Sequence, residues 1–187
     1  MPQSKILIDT NSYLRLAREI RPFLCVEFGS ACYCLYALAQ LGEEILASHR
    51  LRNKFAWSLE NEHIIERQRT VSLSRKERKD IQQAFDFIWD YVETDLPGPS
   101  KVDANYLAHS YVLKIPVVTD DRDMLELAAS FGIEAHKSLD LLALMHSCEH
   151  ISLGKIYSII HLWIYNKDTP ADMHSDFPRI FPGQKLS

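Results

Sequence analysis

The chain has 187 residues, which is enough for one domain with an extension but too few for two full domains. Its composition, with 47% hydrophobic and 25% charged residues, is ordinary for a folded globular protein and excludes a disordered chain, a collagen and a coiled-coil rod. The formal net charge is −4, so the molecule as a whole does not attract a phosphate backbone and any nucleic-acid contact would depend on local patches.

The first third of the chain alternates between strand and helix patterns. Asp9 closes a short apolar run, and Gly29 interrupts a segment rich in Cys, Val, Phe and Tyr that favours a buried strand. The apolar positions Leu38, Leu41 and Ile45 recur at helical spacing. The predicted elements are a strand at 5–8, a helix at 11–21, a buried strand within 23–36 and an amphipathic helix from 37 to 49.

The middle of the chain, residues 48–80, is highly charged and shows poor apolar periodicity. Ser74 and Glu77 form a capping box, which predicts the start of a helix that runs to about residue 93. The LPGPS sequence at 96–100 cannot continue a helix, and Ser100 can cap the next one, predicted at 102–114.

The last third shows the most regular alternation of strands and helices. The predicted elements are a strand at 115–119, a helix at 122–131 with Gly132 as its stop, a strand at 133–136 and a helix at 139–145 capped by Ser138. Because parallel strands require crossover connections, this alternation predicts an α/β fold with a parallel sheet. After it, we expect a helix at 151–165 and an irregular C-terminal tail.

Localisation and redox state are also suggested by the sequence. No apolar signal region precedes the first strand, and the most apolar stretch, 151–165, falls short of the roughly 18 uninterrupted apolar residues of a membrane span. The four cysteines are unevenly spaced, which favours buried thiols over a disulfide framework. We therefore expect a cytoplasmic protein with no membrane contact.

Acidic residues collect where predicted strands end. Asp9 closes the first strand, Asp103 opens a helix, and Asp120, Asp121 and Asp123 follow the strand at 115–119. The carboxyl ends of parallel strands form a common ligand-binding edge, so Asp9 and Asp121 should project into one crevice. Any single one of these acids could simply be a helix cap. Together they predict a site for Mg²⁺ or Mn²⁺, which relieves the repulsion between carboxylates.

The sequences ILIDTN at 6–11, VVTDDRD at 117–123 and LELAASFGIEAH at 125–136, with Asp103 preceding Asp121, resemble the PIN-domain ribonucleases. That family includes the toxins of many bacterial toxin-antitoxin pairs. The resemblance covers roughly residues 4–145. It implies a three-layer α/β/α PIN-like domain with a central parallel sheet at 1–148, followed by a C-terminal extension at 149–187.

The resemblance also implies roles for individual residues. Asp9 matches the first family acid, Asp103 the third and Asp121 the fourth, so these three would bind Mg²⁺ or Mn²⁺ and act in catalysis. Asp123 would be a further metal ligand. Supporting positions would be Asn11 beside the first acid, together with Thr119 and Asp120.

The second family acid has no plain match. The family places a glutamate early in the helix after the second strand, where this chain has Gln40, followed by Glu43 and Glu44. Glu44 lies one helical turn beyond Gln40 on the same face, so we expect Glu44 to be the metal ligand and catalytic residue rather than Glu43.

The function that the resemblance implies is metal-dependent endoribonuclease activity, with RNA as substrate. A metal-held water would attack the phosphodiester in line, without a protein nucleophile. An antitoxin partner and a homodimer are implied in the same way. The alternative, raised by Gln40, is a PIN-like binding or assembly module whose site is degraded and non-catalytic.

Three further patterns are candidates for other sites or other protein classes, and the sequence argues against each of them. The basic clusters at 50–54 and 75–79 could follow an RNA backbone, but interspersed glutamates favour solvated helix faces. His146 and His150, four residues apart, have no third ligand at a recognisable spacing. Asn11 argues against an aspartate phosphatase, which needs a second acid there, and Asp9 lacks the acidic neighbour that a receiver domain would need.

Overall fold

The computed structural model describes residues 3–186. Within this range five strands form one sheet in the order β2-β3-β1-β4-β5. The strands are β1 (Ser4–Ile8), β2 (Glu27–Phe28), β3 (Tyr33–Tyr36), β4 (Val117–Val118) and β5 (Ala135–His136). β1 lies at the centre and runs parallel to β3 and β4, and β5 runs parallel to β4. The predicted α/β fold with a mainly parallel sheet is confirmed.

Helices connect these strands throughout the described range. They are α1 (Thr10–Leu16), α2 (Gln40–Ala47), α3 (His49–Lys54), α4 (Asn61–Arg67), α5 (Arg75–Thr94), α6 (Lys101–Leu113), α7 (Arg122–Ser130), α8 (Ser138–Ser147), α9 (Leu153–Tyr165) and α10 (Met173–Ile180). A short 3₁₀ helix spans Ala56–Leu59. None of the helices in residues 3–186 is long and apolar enough to cross a membrane.

The sheet is covered by helices on both faces because alternate residues of β1 point to opposite sides. Ile6 and Ile8 belong to one buried cluster, which includes residues of α1, α8, α9 and α10. Leu7 belongs to a second cluster, built with α5, α6 and α7. This arrangement is consistent with three α/β/α layers and leaves the carboxyl ends of β1 and β4 as neighbours.

Two local predictions are confirmed at the starts of the longest helices. Ser74 and Glu77 form the capping box of α5. Ser100 caps α6, and there the reciprocal carboxylate is Asp103. The break at 96–100 therefore sets the position of Asp103, because that residue is the third of α6.

Two sequence predictions are corrected, and one segment without an apolar pattern proves helical. Residues 23–36 do not form one buried strand: β2 and β3 make an antiparallel pair across a turn in which Gly29 and Cys32 have positive φ angles. The poorly periodic segment between residues 50 and 73 contains the end of α3 together with α4. Lys137, not Ser138, occupies the N-cap of α8.

The C-terminal segment packs into the same core as the sheet. Helix α9 buries Trp163, whose indole Nε1 donates a hydrogen bond to the Arg15 carbonyl oxygen at 3.0 Å. The tail expected to be irregular contains α10, and Met173, Phe177 and Phe181 are buried against the cluster that holds Ile6 and Ile8. Residues after 149 therefore complete one face of the sheet.

Candidate functional site

Asp9 follows β1 directly and caps α1. Its backbone N–H continues the sheet by donating to the Val118 carbonyl oxygen at 3.0 Å. One carboxylate oxygen, Oδ1, accepts from the Ser12 N–H at 2.7 Å, and Oδ2 accepts from the Thr119 hydroxyl at 2.8 Å. Only 5% of Asp9 is exposed. The side chain is thus held rigidly at the carboxyl end of the central strand.

Thr119 links Asp9 to Asp121. The β1–β4 register pairs Ile8 with Val118, so Asp9 and Thr119 are the next neighbours across the two strands. The fully buried Thr119 hydroxyl donates to Asp9 and accepts from the Asp121 N–H at 3.1 Å. Asp121 then caps α7, with its Oδ1 accepting from the Met124 N–H at 3.1 Å. The parallel register therefore brings these two strand ends together.

Asp103 approaches from the start of α6. Its Oδ2 accepts from the Ser100 N–H at 2.7 Å and from the Ser100 hydroxyl at 2.8 Å. Burial raises the pKa of Asp103, and the charges of Asp121 and Asp123 raise it further. The Asp123 side chain lies against Gly98, where an ideal Cβ would be 2.8 Å from Asp123 Oδ2.

Glu44 joins the same region from α2. It accepts a hydrogen bond from the hydroxyl of Thr10, the residue after Asp9. Burial raises the pKa of Glu44, with a smaller contribution from the charge of Asp103. Glu43 is exposed to solvent, and Gln40 is the first residue of α2. Of the two glutamates, Glu44 is the one that contacts the Asp9 neighbourhood.

Burial and neighbouring carboxylates shift the pKa values of the acidic groups in the site. Burial raises the pKa of Asp9 to about 6, although hydrogen bonds from Ser12 and Thr119 oppose the shift. Burial also raises the pKa of Tyr106 on α6, and the charges of Asp9 and Glu44 add to this effect. A bound cation would favour the ionised form of every one of these acids.

The oxygen donors fit a hard divalent cation such as Mg²⁺ or Mn²⁺. In the described range, hydrogen bonds reach only Oδ2 of Asp103 and Oδ1 of Asp121, so each of these residues has a second oxygen available for a ligand. The acids are nevertheless spread around the crevice. Within residues 3–186, three potential ligand atoms lie within 4.8 Å of one another only at Glu60, Glu62 and His63.

Asp120 has a structural role although it adjoins Asp121. Its Oδ1 accepts from the Ser138 N–H at 3.0 Å, and its Oδ2 accepts from the Ser138 hydroxyl at 2.6 Å and from Arg15 at 2.8 Å. These contacts hold the Asp120 carboxylate between α1 and α8. The sequence gives no sign of this arrangement, because the partners are 18 and 105 residues away.

Asn11 lies exposed on the rim of the site and lines a polar cleft of about 360 Å³. Arg15, Arg50 and Lys54 also line this cleft, together with Asp168 from the C-terminal segment. Asp168 is 3.1 Å from the Lys54 ammonium and 3.8 Å from the Arg15 guanidinium. The first predicted basic cluster therefore borders the acidic crevice on the side of Asn11.

The sequence reasoning assigned no site role to Thr10 or Tyr106, and it identified Ser100 only as a helix cap. Tyr106 follows Asp103 by three residues, so the two share a face of α6, and this spacing could have indicated a link. The buried Tyr106 hydroxyl accepts a hydrogen bond from the Leu38 N–H at 3.3 Å. It thereby ties α6 to the segment just before α2, which carries Glu44.

The histidine pair at 146 and 150 does not form a joint site. His146 Nδ1 lies 3.0 Å from the Ile151 carbonyl oxygen, whereas the His150 ring packs on Phe28 with a centroid distance of 5.0 Å.

Comparison of the chain with protein-family models and with curated proteins gives no match.

Proposed function

We propose that the chain is a PIN-like, Mg²⁺- or Mn²⁺-dependent endoribonuclease. The observation that supports this most directly is the buried Asp9 carboxylate at the end of the central strand, linked through Thr119 to Asp121. Burial raises the pKa of this carboxylate to about 6 although both of its oxygens accept hydrogen bonds, so these contacts offset only part of the cost of burying its charge. A divalent cation bound by oxygen ligands would compensate the buried charge of Asp9.

In this proposal, Asp9, Asp103, Asp121 and Glu44 hold the cation and Asp123 assists. When bound, the cation would supply an activated water and stabilise negative charge on the phosphodiester. The contribution of the chain is orientation. Ser12 and Thr119 fix both oxygens of Asp9, Ser100 fixes Asp103, and the Met124 N–H fixes Asp121.

RNA is the proposed substrate because the acidic crevice opens beside basic side chains. Arg15, Arg50 and Lys54 surround the polar cleft next to Asn11, so a phosphate backbone could lie there while one phosphodiester reaches the acids. Arg15 and Lys54 pair with Asp168 in this cleft, so Arg50 is the lining cation that no ion pair among the described residues neutralises. Toxin activity, an antitoxin partner and a homodimer belong to the same proposal and rest on the resemblance alone.

The second candidate function is a PIN-like binding or assembly module without catalysis. The spread of the acids favours it, because the described residues contain no group of three strand-end carboxylates with oxygens within 4.8 Å of one another. In that case Gln40 would mark a lost ligand, and the crevice would bind metal weakly or not at all.

A cleavage assay separates the two candidates. Purified wild-type protein should cleave a fluorogenic single-stranded RNA in Mg²⁺ or Mn²⁺, and EDTA should stop cleavage. The Asp9→Asn, Asp121→Asn double variant should be inactive because amides cannot supply the charge that binds the ion. A matched control, Asp90→Asn, changes an exposed aspartate of α5 and should retain activity. Equal cleavage by wild type and the double variant would refute the nuclease mechanism.

A further inference from the structure

A second group of potential metal ligands lies where α4 begins, in a part of the chain that the proposed nuclease site does not use. Glu60 and Glu62 are exposed, and His63 is buried. One carboxylate oxygen from each glutamate and one ring nitrogen of His63 lie within 4.8 Å of one another.

The unusual member of this group is His63. Only 2% of the residue is exposed, and neither ring nitrogen has a hydrogen-bond partner among the described residues. Buried polar atoms in folded proteins are nearly always bonded, because leaving them unpaired is destabilising. Acidic residues in the first turn of a helix are common and stabilising, but that role does not account for an unpaired imidazole.

The orientation of the His63 ring is fixed by its neighbours. Trp57 packs edge-on against it, with 4.6 Å between ring centroids and an interplanar angle of 70°. Nε2 then lies 3.9 Å from Glu62 Oε1, and Nδ1 lies 3.9 Å from Glu66 Oε2. Both distances are too long for hydrogen bonds.

The distance on the Nε2 side is close to that between two atoms bound to one metal ion. Zinc lies about 2.0–2.2 Å from nitrogen and oxygen ligands in a tetrahedral site, so two ligand atoms on one ion are roughly 3.4 Å apart. The 3.9 Å gap between Nε2 and Glu62 Oε1 would have to shorten by about 0.5 Å on binding. A carboxylate oxygen of Glu60, an exposed side chain, lies within 4.8 Å of the other two potential ligand atoms.

On the Nδ1 side, Glu66 Oε2 lies 3.9 Å away, and it would have to close to hydrogen-bond distance to become the orienting carboxylate that metal-binding histidines usually have. Glu66 is itself anchored, because its Oε1 accepts from the N–H groups of Phe23 at 2.5 Å and Leu24 at 2.6 Å. The other oxygen, Oε2, faces His63 Nδ1. This arrangement would leave Nε2 unprotonated and directed at Glu62.

An open cavity borders the proposed metal ligands, and one ion pair, between Arg21 and Glu62, competes with metal binding. Glu62 and His63 line an open cavity of about 370 Å³. Arg21 donates to Glu62 Oε1, the same oxygen that lies nearest His63 Nε2, so a metal ion would have to displace this guanidinium. The two side chains are 42% and 61% exposed, and exposed ion pairs contribute little.

We propose that Glu60, Glu62 and His63 bind a divalent transition-metal ion of the zinc type, with Glu66 as the positioning carboxylate of His63. A mixed nitrogen and oxygen ligand set favours Zn²⁺ over Mg²⁺, in contrast to the all-oxygen set around Asp9. The inference is independent of the nuclease proposal.

Calorimetric titration of Zn²⁺ into the 187-residue chain tests this site. Wild type should bind one ion here, and affinity should fall at least tenfold in His63→Gln and in the Glu60→Gln, Glu62→Gln double variant. The double variant changes only exposed side chains, so it is informative even if His63→Gln does not fold. Glu93→Gln, an exposed glutamate of α5, is the matched control and should bind as wild type.

Two further measurements locate the ion. Zn²⁺ binding should persist in the Asp9→Asn, Asp121→Asn variant, which removes ligands of the strand-end site. Co²⁺ should quench tryptophan fluorescence, and Trp57→Phe should remove most of the quenching because Trp57 contacts His63. Unchanged Zn²⁺ affinity in the Glu60, Glu62 double variant, or loss of binding in the Asp9, Asp121 variant, would overturn the proposal.

Discussion

Replacing Asp9 with Asn removes the charge from the most deeply buried carboxylate of the site. Its pKa is about 6 in the folded protein, against 3.8 for an unperturbed group. Between these values the folded state binds more protons than the unfolded chain, so the free energy of unfolding falls as pH rises from about 4 to about 6. Two pKa units correspond to about 3 kcal/mol of stability lost above that range.

Asp9→Asn should not suffer this loss. Its side-chain oxygen can still accept from the Ser12 N–H, but its amide nitrogen must face Thr119, which offsets part of the gain. In EDTA at pH 7.5 we expect the variant to be more stable than wild type by about 1–3 kcal/mol. For a chain of this size each kcal/mol raises the melting temperature by roughly 2–4 °C. Near pH 4 the two proteins should have similar stability.

Urea denaturation in EDTA at several pH values between 4 and 8 measures both curves. Asp90→Asn, the exposed control, should follow wild type at every pH. Adding Mn²⁺ should stabilise wild type and leave Asp9→Asn unchanged, since a ligand stabilises only the state that binds it. Parallel pH profiles for wild type and Asp9→Asn, or a variant less stable at pH 7.5, would refute this account of Asp9.

Three other outcomes follow from the same contacts. Glu44→Gln should lower the Mn²⁺ affinity measured by calorimetry, while Glu43→Gln should leave that affinity unchanged. If Gln40 marks a lost ligand, Gln40→Glu should raise the affinity. Equal affinity in all variants would mean that α2 supplies no ligand. Thr119→Val removes the hydroxyl that serves both Asp9 and Asp121 and should lower stability in urea by about 1–3 kcal/mol, whereas Thr119→Ser should behave as wild type. Phe177→Ala leaves a cavity at a buried position and should lower the free energy of unfolding by about 3–5 kcal/mol in the same assay. An unchanged free energy of unfolding would mean that α10 is dispensable for the core.

The features predicted correctly from the sequence are those with local or topological signals. The Ser74–Glu77 capping box is visible in four residues. The closeness of Asp9 and Asp121 follows from parallel strands, which end at one edge and therefore bring distant positions together. Both features can be predicted without knowing how the side chains pack.

The unpredicted features depend on contacts that periodicity does not encode. Helix α4 buries His63 and Arg67, which are polar, and α3 buries none of its described residues, so a search for apolar spacing finds neither helix. Helix geometry favours Glu44 over Glu43, but nothing in the sequence indicates the hydrogen bond that Glu44 accepts from Thr10, 34 residues earlier. The role of Asp120 depends on Arg15, which α1 places beside it.

The chain order of the sheet has a consequence for biosynthesis. Asp9 is made early, yet the strand beside it is β4, whose Val118 accepts its backbone hydrogen bond. At translation rates of about 5–20 residues per second, that partner emerges roughly 5–20 s later. Phe181, which helps to close one face, follows later still. The nascent chain therefore carries its central strand unpaired on one side until β4 is made, and the acidic crevice can assemble only after Asp121 has emerged.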